Sequence, residues 1–361
     1  MEDRAMRRSL PVFLAVLIAL SAFAPAVTGQ STDSPDSSVE CEFPLEVTDA
    51  TGETMTLEDA PGSVVALQPS DAQTVFEIGA EDRLVGMPDN PATSDLELGD
   101  RTAVTDGYEI LSERVVDLDP DLVLAANVTD EEIVEQLRNA GLTVYQFDDA
   151  RSLDDVRDNV LTTGELTGEC DGANATVDWM DEQLEIIDGA LEDEERPLAY
   201  YAMGEDGATV GTETFIHEAI TTGGVDNIAD DAGIAWYGQI NAETVVDEDP
   251  EWIIYPDNRE EPPIPDQVKA TAAYRNGNVL AVNANHISQP TPQVVYAIVD
   301  IVETVHPKAY EQVSDELEAS PESSDATDTD AASGESAIPG FGVPVAVVAL
   351  LAAIGVATRR R

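Results

Sequence analysis

Lysine is almost missing from this chain. Of its 361 residues only Lys269 and Lys308 are lysine, and Lys and Arg together number 17 against 73 Asp and Glu. No basic patch is available to replace phosphate counterions, so nucleic acid is excluded as a partner. Histidine is nearly as scarce, with only His217, His286 and His306, and none stands at a zinc-ligand spacing. A metal site is therefore not expected. The chain has no Gly-x-Ser-x-Gly elbow and no phosphate-binding glycine loop. Acids are so abundant that pairs of them carry no argument for a glycosidase. The reading is of a chain that is not an enzyme and has no resident cofactor. Aromatic residues make up 5% of the chain, which makes Tyr108, Trp236 and Tyr237, placed in polar or glycine-containing loops, worth attention.

What is present is acid spread over the whole length, for a net charge of −56, together with 43% hydrophobic residues. That apolar share is enough for real cores, and the length suits about two domains. Such a surface fits molar salt, where a Debye length of about 3 Å screens the self-repulsion that would otherwise destabilise the fold. The composition points to a halophilic archaeal source.

Both ends read as addressing segments. Arg4, Arg7 and Arg8 precede the apolar run Val12 to Leu20, and Ala24-Pro25-Ala26 offers a cleavage site, so residues 1–26 read as a secretory signal. Arg7-Arg8-Ser9-Leu10 resembles a twin-arginine signal, although Pro11 departs from it, and the export route stays open. A linker covers 27–43. From Ser314 to about residue 338 the chain is rich in Ser, Thr, Asp, Glu and Ala without apolar periodicity, the pattern of a solvated stalk. Residues 339–361 carry Pro339-Gly340-Phe341, an apolar run from Val343 to Ala357, and Arg359-Arg360-Arg361. This tail resembles the PGF-CTERM sorting signal of archaeal surface proteins. The resemblance implies recognition of the triplet by an archaeosortase, removal of the tail and lipid anchoring at the cell surface; a plain membrane anchor is the alternative. Export and an even count favour a bond between Cys41 and Cys170, worth on the order of 4 kcal/mol in the chain-entropy picture. Asn127-Val128-Thr129 and Asn174-Ala175-Thr176 are glycosylation sequons.

One segment is written twice. Ser112-Glu113-Arg114-Val115-Val116-Asp117-Leu118-Asp119-Pro120-Asp121-Leu122-Val123-Leu124 recurs as Ala242-Glu243-Thr244-Val245-Val246-Asp247-Glu248-Asp249-Pro250-Glu251-Trp252-Ile253-Ile254. Each copy reads as a short helix, a break at Asp-Pro and a buried strand. The spacing is too long for a solenoid and predicts two similar lobes. Strands at Val64–Leu67, Leu84–Gly86 and Thr143–Phe147 alternate with helices at Ala72–Ile78 and Glu131–Ala140. The second half restarts with a strand at Leu198–Met203, followed by a helix at Thr214–Thr222, a strand at Val279–Val282 and a helix at Pro292–Val305. The expected fold is α/β: two Rossmann-like lobes, 44–151 and 197–313, with a cleft between them. A single long helix from Leu153 to Leu191, within 152–196, joins the lobes, with Gly164, Gly168 and Gly172 as places where it bends.

Six phrases in order then carry a family resemblance: Leu67-Gln68-Pro69-Ser70-Asp71, Ile78-Gly79-Ala80-Glu81-Asp82-Arg83-Leu84-Val85-Gly86, Leu118-Asp119-Pro120-Asp121-Leu122-Val123, Gly211-Thr212-Glu213-Thr214-Phe215-Ile216, Gly223-Gly224-Val225-Asp226-Asn227-Ile228 and Asp249-Pro250-Glu251-Trp252-Ile253-Ile254. From Val64 to about Tyr310 the chain resembles the class III substrate-binding proteins of ABC importers, which capture vitamin B12, ferric siderophores and haem. The resemblance implies a monomer that holds its ligand between the lobes and delivers it to a permease and its ATPase. It further implies that Glu113 and Glu243 meet basic pockets on that permease; a helix-start glutamate favoured by the macrodipole is the plainer alternative.

Cleft loops follow strand C-termini, so the candidate ligand contacts are Gln68, Ser70 and Tyr108 in the first lobe and Met203, Glu205, Trp236, Tyr237 and His286 in the second. The few arginines in these loops favour a cobalt corrinoid over an anionic iron chelate. A structural or adhesive surface protein is the competing class.

Overall fold

The computed structural model describes residues 38–319, which leaves the signal segment, most of the stalk and the Pro339-Gly340-Phe341 tail outside the described residues. Two parallel sheets form the frame. The first takes the order β3-β2-β1-β4-β5, with β1 Val64–Ala66, β2 Leu84–Met87, β3 Thr102–Ala103, β4 Leu122–Ala125 and β5 Val144–Gln146. Between these strands run α1 Pro69–Glu77, α2 Ser112–Leu118 and α3 Glu131–Asn139. The second sheet takes the order β7-β6-β8-β9, with β6 Leu198–Tyr201, β7 Asp226–Asn227, β8 Trp252–Pro256 and β9 Val279–Val282. Continuous apolar runs such as Leu122–Ala125 are buried throughout because helices cover both faces of each sheet.

The sequence repeat is a structural repeat. α2 and α7 (Ala242–Glu248) each end on an aspartate in the left-handed region, Asp119 at φ 47° and Asp249 at φ 45°. These are the positive-φ non-glycine residues among those described. The break falls at Asp-Pro as expected, but through a left-handed turn rather than an extended one, which a short aspartate side chain tolerates. Each copy's strand, β4 and β8, then pairs beside the first strand of its own lobe.

The continuous helix expected over Leu153–Leu191 is two helices. α4 Leu153–Thr167 stops at Gly168, φ 77°, and α5 Cys170–Leu191 turns back along it. Glycine permits that left-handed stop at no steric cost. The pair spans both lobes. On α4, Leu153 and Val156 belong to the second lobe's core, whereas Val160, Leu161 and Leu166 belong to the first; on α5, Ala173 and Val177 lie in the first core and Met180, Leu184, Ile187 and Leu191 in the second. With 22 residues, α5 is about 33 Å long. Cys170 opens α5 and is bonded to Cys41, tying the N-terminal segment to the turn.

Close approach explains two of the glycines in this pair. A Cβ at Gly164 would overlap the Cβ of Ala173, and one at Gly172 would overlap the carbonyl oxygen of Ile78, just beyond α1. Gly172→Ala should therefore push α5 off α1 and destabilise the protein by about 1–3 kcal/mol, measured by thermal unfolding at high salt. Wild-type stability would show that the helix shifts without cost.

The helix Pro307–Ala319 runs past the expected stalk boundary at Ser314. Tyr310 and Leu317, seven residues apart and so on one face, pack against the second core and extend the fold to that point.

Candidate functional site

In parallel sheets the loops leaving the strand C-termini form one rim, and here the two rims and the bridging helices meet. A pocket of about 20 Å³, room for one water, is lined by Ser70 and Asp71 from α1, Asn127 and Asp148 from the loops after β4 and β5, Thr163 from α4, and Pro290 from the second lobe. Asp71, 5% exposed, is the buried acid of this region. Its Oδ2 accepts the backbone N–H groups of Gln68 at 3.0 Å and Ala126 at 3.1 Å. Burial outweighs those bonds and raises the carboxyl from 3.8 to about 7. Glu77, at the end of α1, is likewise raised by burial from 4.5 to about 7, although Gln73 and Gln293 both donate to it.

The sign of the resulting pH dependence follows from the direction of these shifts. Both carboxyls hold protons in the folded state that the unfolded chain has already released. Their contribution is therefore complete below about pH 4 and lost as pH rises through about 7. Asp71→Asn should be more stable than wild type at pH 8, by up to ~4 kcal/mol, and nearly equal to it at about pH 4. Thermal unfolding of both proteins across that window checks this, and a constant difference would contradict it.

The expected ligand contacts separate into groups. Trp236 and Tyr237 form an edge-to-face pair with ring centroids 5.1 Å apart. From the first lobe's side, the guanidinium of Arg151 stands 5.3 Å from the Trp236 ring centroid. Arg151 also reaches Glu213 at 3.4 Å and Asp149 at 3.8 Å, so its charge is already matched. Tyr237 is 45% exposed, and burial together with Asp149 pushes its phenol upward.

Gln68 and Ser70 sit at the start of α1. The Gln68 amide donates to Thr129 at 3.3 Å, and Ser70 lines the small pocket. Tyr108 stands apart at a hairpin tip, 71% exposed, and lines neither described pocket. Met203 packs against the second core. Glu205 borders a separate groove of about 640 Å³ with Arg259, Lys269 and Tyr274. His286 lies 5.5 Å from the Tyr296 ring, and its Nδ1 is buried without a hydrogen-bond partner. Burial lowers its pKa against the pull of Asp95 and Asp257. Among the described residues no cluster of three or more His, Cys, Asp or Glu side chains is placed to hold a metal ion.

Both sequon asparagines are engaged. Asn127 donates to Asp149 inside the cleft region, and Asn174, within α5, exchanges two hydrogen bonds with the backbone of Val39 at 2.9 Å each. A glycan on either would have to displace those bonds. Glu113 and Glu243 lie exposed in the first turns of α2 and α7.

Arg151, Asp71 and Asn127 were missed as cleft residues by sequence reading. They stand in loops or first turns after strand C-termini, so the rule that selected Gln68 also reaches them; the pairing of Arg151 with Trp236 and Glu213 has no sequence signal.

Comparison with known proteins places this geometry. A family model described as periplasmic binding protein matches residues 64–290. The "Cobalamin-binding protein" of Halobacterium salinarum is 37% identical over 362 residues, covering 95% of this chain and 98% of the relative. Among solved structures, Helicobacter pylori CeuE in a nickel–histidine complex superposes with a TM-score of 0.63 at 20% identity, covering 74% of this chain and 90% of that one. The heme binding protein HmuT does so at 0.60 and 21%, covering 75% and 93%. With two parallel-sheet lobes, a bridging helical pair and a cleft at the strand C-termini, the chain belongs to the periplasmic binding protein family.

Proposed function

We propose that this protein is the extracytoplasmic solute-binding component of an ABC importer, and that it captures a cobalt corrinoid between its lobes and delivers it to the permease. The observation that carries the reading is the Trp236–Tyr237 ring pair of the second lobe, set against Arg151 from the first. Two perpendicular rings offer an apolar face and an edge to a large macrocycle, a contact that depends little on salt. The surroundings disfavour a polyanionic ferric siderophore, because Asp148, Asp149 and Glu213 add negative charge and Arg151 is already paired. Haem is the second reading. The relative from Halobacterium, similar along nearly the whole chain, supports the corrinoid.

The N-terminal signal and the PGF-type tail complete the proposal. The protein is exported, processed by an archaeosortase, and held at the cell surface as a monomer. Protein exposed in molar salt to a mixture of cobalamin, haem and ferric siderophore, then desalted, should retain the absorbance spectrum and mass of cobalamin. Retention of haem or siderophore instead would replace the corrinoid, and retention of none would favour a surface-structural role.

A further inference from the structure

Beside the bridging helices, the second lobe reaches the first through uncharged donors at a regular spacing. Asn285, Gln289 and Gln293 are four residues apart, and each donates its side-chain N–H to the first lobe. Asn285 reaches the carbonyl of Pro91 and Asp95 Oδ2, both at 3.4 Å. Gln289 reaches the carbonyl of Ala92 at 3.0 Å, and Gln293 reaches Glu77 Oε1 at 2.9 Å. The acceptors lie on the Pro91–Thr93 turn, just beyond it at Asp95, and at the end of α1, which the turn contacts. In a chain that is 25% charged, this seam uses three carboxamides as its donors.

The choice has a physical consequence. A charged contact between the lobes, Arg151 with Glu213, joins side chains that are both more than half exposed, and molar salt screens such a pair almost completely. A carboxamide donor carries no net charge, so hydrogen bonds made by it depend far less on ionic strength than an exposed ion pair does. We infer that Asn285, Gln289 and Gln293 are positioning residues that fix the separation of the two lobes, and hence the cleft width, independently of salt. Their effect on ligand rests on the proposed corrinoid function; their effect on lobe separation does not.

Spin labels on cysteines introduced by Asp117→Cys and Asp247→Cys, exposed sites on α2 and α7, report the interlobe distance. In the otherwise wild-type protein the distance distribution should be narrow and unchanged from about 1 M salt upward. Combining Asn285→Ala, Gln289→Ala and Gln293→Ala should broaden it and raise the cobalamin dissociation rate about tenfold. The single change Gln289→Glu, which sets a carboxylate against the Ala92 carbonyl, should broaden it as well and serves if the triple variant folds poorly. An unchanged distribution in a folded variant would overturn the inference. Absence of cobalamin binding in wild type, with the distances behaving as described, would remove the ligand reading and leave the seam intact.

Discussion

Reversing Glu113 and Glu243 together to lysine should abolish ligand uptake by cells while leaving the affinity of the isolated protein nearly unchanged. The two glutamates are the matched positions of a repeat that proves to be structural, and both lie exposed in the first turn of their helices. If each lobe docks through its glutamate onto a basic permease pocket, a lysine there both loses an attraction and creates a like-charge clash. Single reversals should give intermediate loss, since the other lobe keeps its contact. Asp178→Lys with Glu185→Lys, on the exposed side of the bridging helix α5, is the control and should change little. Wild-type uptake by the double reversal, in cells that need the permease for that uptake, would reduce both residues to acids favoured by a helix N-terminus.

Trp236→Ala should weaken cobalamin binding by about 1–3 kcal/mol, a rise in Kd of roughly 5-fold to 150-fold. The half-buried indole has one ring partner in Tyr237 and one cation in Arg151. A ligand stacking there removes the remaining apolar surface from water. Tyr108→Ala is the comparison, because that ring stands on an exposed hairpin tip; its effect should be smaller. A lower unfolding temperature with an unchanged Kd would assign Trp236 to packing.

The frame was legible because its signals are local. Buried strands read as apolar runs, helices as amphipathic ones, and the repeated Asp-Pro breaks marked equivalent helix-to-strand turns in the two lobes. The bridging segment was read as one helix because periodicity persists across Gly168. What the periodicity does not encode is that the apolar stripe before the glycine and the one after it face the same two cores in opposite order. Folding back is a tertiary event permitted by Gly164 and Gly172, whose missing side chains let α5 approach α4 and Ile78.

The site was legible only as a set of loops. Position after a strand C-terminus selected the residues able to reach the cleft, but it did not separate Trp236, which faces Arg151 and pairs with Tyr237, from Met203, which packs inward. Composition drew attention to charge, whereas the contacts that join the lobes at Asn285, Gln289 and Gln293 are carboxamides, whose four-residue spacing carries neither an apolar nor a charge signal.

The most direct measurement is a titration of cobalamin into the purified protein in molar salt, followed through tryptophan fluorescence. Saturable binding at one ligand per chain is expected, with a smaller signal and weaker affinity in Trp236→Ala. A wild-type protein that shows no saturable change with cobalamin would contradict the corrinoid reading.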